Sequence, residues 1–245
     1  IRDSGTAVLI EGGAPILEDL LIDPAGDMVT GGPNQPREAM EVRDGGSPTI
    51  RDSVLKSLAH IDDGATPTFE GVEFRLGCLH VQGQGTSPSV RASSFVGSDC
   101  PGFSISVADG AHVDVAAGDI DSRPGQAGIR VANDGSSADI TGTSISGGAE
   151  GVLVGPGATV TFQRSNAQEA AVGIKVQDGD LTIAAGALVD NTIGLQVSGD
   201  SFLEVSDTDF CNETDFDLRD GAAVPSEPNR VCDDGTTELA SRDGS

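Results

Sequence analysis

The sequence predicts an all-β chain wound as a right-handed parallel β-helix, a solenoid of about ten coils of about 22 residues with three parallel sheets. Three observations predict it. Gly-apolar-x-apolar units recur at nearly fixed spacing, an Asp-Gly turn signal follows most of them, and a second apolar strand, often entered through Pro, comes after the turn.

The first strand of each coil is the clearest. Its most regular copies are Gly128-Ile129-Arg130-Val131, Gly151-Val152-Leu153-Val154, Gly173-Ile174-Lys175-Val176 and Gly194-Leu195-Gln196-Val197, spaced 23, 22 and 21 residues apart. Upstream the unit continues in Met40-Glu41-Val42, Ala59-His60-Ile61, Leu79-His80-Val81 and Ile105-Ser106-Val107. Val8-Leu9-Ile10 opens the series and Phe216-Asp217-Leu218 closes it.

The turn comes next, at Asp44-Gly45, Asp63-Gly64, Asp109-Gly110, Asp134-Gly135, Asp178-Gly179 and Asp220-Gly221, where Gly supplies positive φ. A second strand follows through Ile16, Ile50, Phe69, Val90, Val113, Ile140, Val160, Leu181 and Leu203. A third inward position lies at Phe74, Phe95, Ile120, Ile145, Leu188 and Phe210. Apolar residues alternate with period two over short stretches broken by Gly and Pro, which excludes a helical reading. Stacked coils pair each strand with its equivalents about 4.8 Å above and below. Ile129, Val131, Ile140, Ile145, Val152, Val154, Val160, Ile174, Val176, Leu181, Leu195, Val197 and Leu203 are the predicted core. The β-helix is expected over residues 1–224, with a loop excursion at 23–39 and a polar tail at 225–245.

Gly45-Gly46-Ser47-Pro48-Thr49-Ile50-Arg51-Asp52-Ser53 and Asp190-Asn191-Thr192-Ile193-Gly194-Leu195 resemble the coil repeats of the pectin-lyase-like superfamily of right-handed parallel β-helix proteins. The resemblance spans roughly the whole predicted solenoid. It implies the fold and leaves function open, since the superfamily holds lyases, hydrolases, spikes, adhesins and structural proteins.

Composition narrows the setting. Asp and Glu number 39 against 14 Lys and Arg, a formal charge of −25; Lys56 and Lys175 are the only lysines, and Trp and Tyr are absent. This resembles the proteins of extremely halophilic archaea, in which dense carboxylates hold water when salt has shortened the Debye length to about 3 Å. Such a charge argues against a nucleic-acid partner. No apolar run approaches the roughly 18 residues of a membrane-spanning helix. The 37% of hydrophobic residues, regularly placed, argue for a packed core over disorder.

Cys78 and Cys100 are 22 residues apart, and Cys211 and Cys232 are 21. One period returns the chain beside itself, so the expectation is two disulfides, Cys78–Cys100 and Cys211–Cys232, and an extracellular or cell-surface location. Asn212-Glu213-Thr214 is a glycosylation sequon, which makes Asn212 a candidate acceptor.

Candidate chemistry lies on the outer surface. The middle residues of the first strand form a ladder that includes Glu41, His60, His80, Arg130 and Lys175. Glu41, His60 and His80 fall on consecutive rungs, close enough for acid–imidazole hydrogen bonding or weak metal binding. The competing reading is a polar outer face with coincidental histidines. The turn residues Asp44, Asp63, Asp109, Asp134 and Asp178 form a second row, with calcium as the candidate ligand. No cofactor is required by any motif. The hydrolases of the resembled superfamily carry Asn-x-Asp, paired Asp and His-Gly signatures; here Asp62-Asp63 stands alone and its second member belongs to a turn. The lyases add a Lys or Arg base to calcium carboxylates, and Arg130 and Lys175 lie two rungs apart. The missing Trp and Tyr remove the usual sugar-stacking platforms.

Three functions remain open: a structural or assembly module associating through the solenoid ends, a binding or adhesion module, and a carbohydrate-active enzyme. The first is preferred, because the coil pattern starting at Val8 predicts an uncovered strand edge; the competing reading is a piece of a longer protein whose neighbouring domains cover the ends.

Overall fold

The computed structural model describes residues 6–24, 38–219 and 229–232. Most of the expected loop excursion and tail lies outside them. Glu38 and Ala39, expected to end the loop, already belong to the strand Glu38–Arg43.

Among the described residues every regular element is a strand. The strands form three parallel sheets of ten, nine and ten members, and each sheet takes every third strand in chain order. The first sheet runs from Thr6–Glu11 to Thr214–Leu218, the second from Ile16–Glu18 to Phe202–Ser206, and the third from Leu21–Ile22 to Arg230–Val231. This is a parallel β-solenoid of nine complete coils and a partial tenth, slightly fewer than expected. Arg230–Val231, within the expected tail, pairs with Asp209–Phe210 and supplies a rung of the third sheet.

Period-two alternation sends one side chain of each short strand inward, and these stack into a single core. The predicted core residues are fully buried, with one exception: Leu203 is only partly buried, because its strand is the terminal member of the second sheet. The large side chains are Phe69, Phe74, Phe95, Phe162 and Phe210. Phe74 and Phe95, neighbours in the third sheet, stack with ring centroids 4.2 Å apart.

The repeated glycine of the first strand is explained by packing. A side chain on Gly151 would come within 2.5 Å of the carbonyl oxygen of Gly173 in the next coil, and one on Gly128 within 2.6 Å of that of Gly151. Backbone cannot yield there, so only hydrogen fits. The first corner turns at Asp44-Gly45, Asp63-Gly64 and Asp109-Gly110, where both residues take positive φ. The second corner has a row of single positive-φ residues at Asp19, Asp52, Gly71, Ala92, Ala117, Gly142, Arg164, Ala185 and Asp207. Buried hydroxyls just beyond them cap the bend: Ser93 Oγ donates to Arg91 O at 2.8 Å and accepts from Val72 N at 3.1 Å, and Ser165 serves Gln163 O and Thr143 N in the same way.

Both cysteine pairs are disulfides joining successive coils. Cys78–Cys100 has Cα atoms 6.0 Å apart and Cys211–Cys232 has them 5.0 Å apart.

Candidate functional site

Pairing in the first sheet sets Leu9, Glu41, His60, His80, Ser106, Arg130, Leu153, Lys175, Gln196 and Asp217 side by side on successive rungs. The ladder therefore has the members expected. Its N-terminal portion is a half-buried polar cluster. The His60 and His80 rings stack with centroids 5.2 Å apart and planes 11° from parallel. His60 Nδ1 is 3.5 Å from Glu38 Oε1, and its Nε2 is 3.9 Å from Asp62 Oδ2. Glu41 turns instead to Arg43, whose Nη1 donates to Glu41 Oε1 at 3.0 Å, so Glu41 and His60 are neighbours in register with no hydrogen bond or ion pair between them.

Electrostatics divide this cluster. Burial, and then the adjacent His60, hold the His80 imidazole below the ordinary histidine range, although Asp109 pulls the other way. Burial and Asp63 push the Asp62 carboxyl above the ordinary range, against the attraction of His60. His60 Nε2 and Asp62 Oδ1 are buried without a hydrogen-bond partner. The cluster offers a base held neutral and an acid held toward its protonated form, yet their ligand atoms do not converge on one point. Arg130 stands two rungs from Lys175, with Leu153 between. Lys175 Nζ approaches Glu150 Oε1 at 3.6 Å, so the lysine is neutralised by an acid of its own sheet.

The aspartate edge is less continuous than expected. Extending the strand register, Asp44 faces Asp63, Asp63 faces Gly83, and Gly83 faces Asp109. Asp109 then faces Asn133, not Asp134; Asn133 takes the positive φ of the turn and its Nδ2 donates to Asp109 Oδ1 at 2.7 Å. Asp178 Oδ1 accepts from the backbone N–H of Asp200, one coil on, at 3.0 Å. The acids are interrupted by Gly and Asn and are partly spent on local bonds.

Asn212 has a structural employment. It is buried; its Nδ2, the atom to which a glycan would be joined, donates to Leu188 O at 2.8 Å and to Asp215 Oδ1 at 3.0 Å. The folded chain leaves that nitrogen inside, so glycan attachment does not fit this geometry.

A groove of about 510 Å³ lies along the second corner, where Ala117, Gly118, Gly142, Ala185 and Gly186 leave room. Asp119, Asp207, Asp209, Arg164, Ser144 and Asn166 give it polar walls. Sequence reading missed it, because small residues at outward positions carry no pattern of their own. The visible signal was Ala or Gly just after five of the nine second strands, at Gly71, Ala92, Ala117, Gly142 and Ala185.

The sequence matches no family model and no curated protein. Among solved structures it is similar to a periplasmic alginate epimerase, AlgG, in a mutant form, with a TM-score of 0.58 and 9% identity over 90% of this chain and 68% of that one. It is also similar to tailspike protein 3 of bacteriophage CBA120, with a TM-score of 0.40 and 10% identity over 94% of this chain and 54% of that one. At such identities the likeness to the epimerase concerns the fold alone.

Proposed function

We propose that this chain is a non-catalytic structural module of an extracellular surface layer, stalk or filament, working in concentrated salt and joined end to end to further copies of itself. The state of the core at its two ends carries this reading. Among the described residues, the partly buried apolar side chains packed on the core are Val8, Leu17 and Leu20 in the first coil and Leu203, Phe216, Leu218 and Val231 in the last strands. The inward core residues of the intervening coils are fully buried, although outward Leu76 and Val96 are exposed there too. Ile16 and Phe202, 63% and 60% exposed, sit on the opposite terminal strands of the second sheet.

All strands of a sheet run the same way, so the last rung of one copy meets the first rung of another in the parallel sense. Such a head-to-tail contact does not close on itself and yields filaments. Two disulfides support an oxidising compartment. The charge of −25 supports concentrated salt, which screens the repulsion that end-to-end contact meets. A second reading, carbohydrate binding, is favoured by the corner groove, whose carboxylates, hydroxyl, amide and guanidinium suit sugar hydroxyls; the similar epimerase is named for a polysaccharide. The groove has no aromatic platform.

Light scattering and electron microscopy of the purified chain, at low salt and in molar KCl, test the assembly reading. Particles that lengthen with salt and concentration are expected. A monomer under every condition would overturn it.

A further inference from the structure

We propose that His112, Asp114 and Asp139 bind a divalent transition-metal ion of the zinc, cobalt or nickel class on the outer face of the second sheet. His112 and Asp114 are two positions apart in the strand His112–Ala116 and therefore share a face. Asp139 is the partner of Asp114 on the next rung. One ligand atom from each of the three residues lies within 4.8 Å of the others. His112 Nε2 is 3.3 Å from Asp114 Oδ1 and 3.9 Å from Asp139 Oδ2.

An independent contact orients the imidazole. His112 Nδ1 is 2.9 Å from the hydroxyl of Ser137, its own partner on the neighbouring rung. With the proton on Nδ1 donated to that hydroxyl, Nε2 presents its lone pair to the space between the two carboxylates. An outer hydrogen bond of this kind fixes the tautomer of metal-ligating histidines. The three side chains are 30%, 49% and 55% exposed, so an ion can enter and water can complete its coordination. One neutral nitrogen and two carboxylates balance a divalent charge. The nitrogen selects zinc, cobalt or nickel over calcium and magnesium, which prefer all-oxygen sites. On the adjoining rungs Asp114 faces Ser89 and Asp139 faces Thr161, both uncharged; the nearby Arg91 directs its Nε to Ser89 Oγ at 2.9 Å.

The test is a titration of the chelator-stripped chain with Co(II) in molar KCl, followed by visible absorption and by calorimetry. Saturable binding of a single ion per chain is expected, resistant to excess Mg(II). His112→Ala should abolish it. Asp139→Asn should weaken it about tenfold or more. The double variant His60→Ala/His80→Ala should leave it unchanged, because those rings lie on another sheet. Circular dichroism verifies the fold of each variant; if His112→Ala does not fold, Asp114→Asn joins Asp139→Asn as the deciding pair. Absence of saturable binding, loss of binding in molar salt as for a diffuse counterion, binding indifferent to these substitutions, or its abolition by the His60/His80 variant would each overturn the proposal.

Discussion

Asn191 and Asn212 occupy equivalent positions on successive coils, and Asn191 Nδ2 donates to Asn212 Oδ1 at 2.8 Å. The same oxygen accepts from Asn191 N at 3.1 Å, while Asn191 Oδ1 accepts from Ala170 N at 3.0 Å and each amide nitrogen reaches a carbonyl inside its corner. Two side chains thus satisfy the backbone of a buried turn that no ladder hydrogen bond can serve.

Replacing Asn212 with Ala strands Asn191 N and Leu188 O, and leaves Asn191 Nδ2 with Ala167 O as its one remaining partner. At about 1–3 kcal/mol for each unsatisfied buried group, partly relieved by relaxation, a loss of about 2–4 kcal/mol is expected. Thermal or guanidinium denaturation measures it. Asn212→Asp, which keeps one oxygen but adds buried charge, should be no milder. A variant as stable as the wild type would show that water, not the amide, serves the turn.

Each disulfide closes a loop of about one coil. The chain-entropy relation for such loops gives about 3 kcal/mol apiece. Non-reducing peptide mapping should recover Cys78 with Cys100 and Cys211 with Cys232, and reduction should lower the melting temperature. The Cys211–Cys232 bridge also pins the strand Arg230–Val231 against Asp209–Cys211. Cys232→Ser should therefore raise amide exchange in that last rung before it affects the coils near Cys78.

Residues Gly128 to Val197 show why so much of the fold was legible. Each coil there has nearly the same length, so period, inward positions and the outer ladder all follow from one alignment of the chain with itself. Legibility fails where coil length changes. Asp109 and Asp134 share the Asp-Gly motif but differ by one position in register, and Asn133 takes the structural place. The inward Val113 marks the second strand in the sequence and says nothing of His112, whose outward neighbours Asp114 and Asp139 follow only from the register of that sheet. Asn212 read as a sequon because local sequence carries no sign of burial.

His80 makes stability depend on pH. The folded chain holds His80 below its ordinary value, so protonation favours the unfolded chain. The stability due to its neutral form is whole above the ordinary histidine range, about pH 6.5. It is lost as pH falls from there toward the lowered folded value. His80→Gln should flatten the decline of melting temperature below that point, measured at constant molar salt. Asp62 has the opposite sign: its folded value is raised, so ionisation near neutrality costs stability, and Asp62→Asn should raise the neutral-pH melting temperature. An unchanged slope for the first variant, or destabilisation by the second, would refute the assignment of these shifts to burial.

Charge and assembly make a joint prediction, since both respond to salt and only one responds to the solenoid ends. With 39 acids against 14 bases, the folded chain repels itself at low ionic strength and should melt at a lower temperature there than in molar KCl. That effect is spread over the whole surface, so it should survive any single substitution at an end. Association should not. Ile16 lies on the first strand of the second sheet and Phe202 on its last, both outward and mostly exposed. Ile16→Glu or Phe202→Glu removes little packing within one copy, so its melting temperature should change little. Either one places a carboxylate where two copies meet, and in head-to-tail stacking one altered end suffices to block the contact. Sedimentation velocity in molar KCl should therefore show shorter assemblies for each variant, with the salt dependence of melting intact. Assemblies of wild-type length in both variants would mean that association uses a surface other than these two terminal strands.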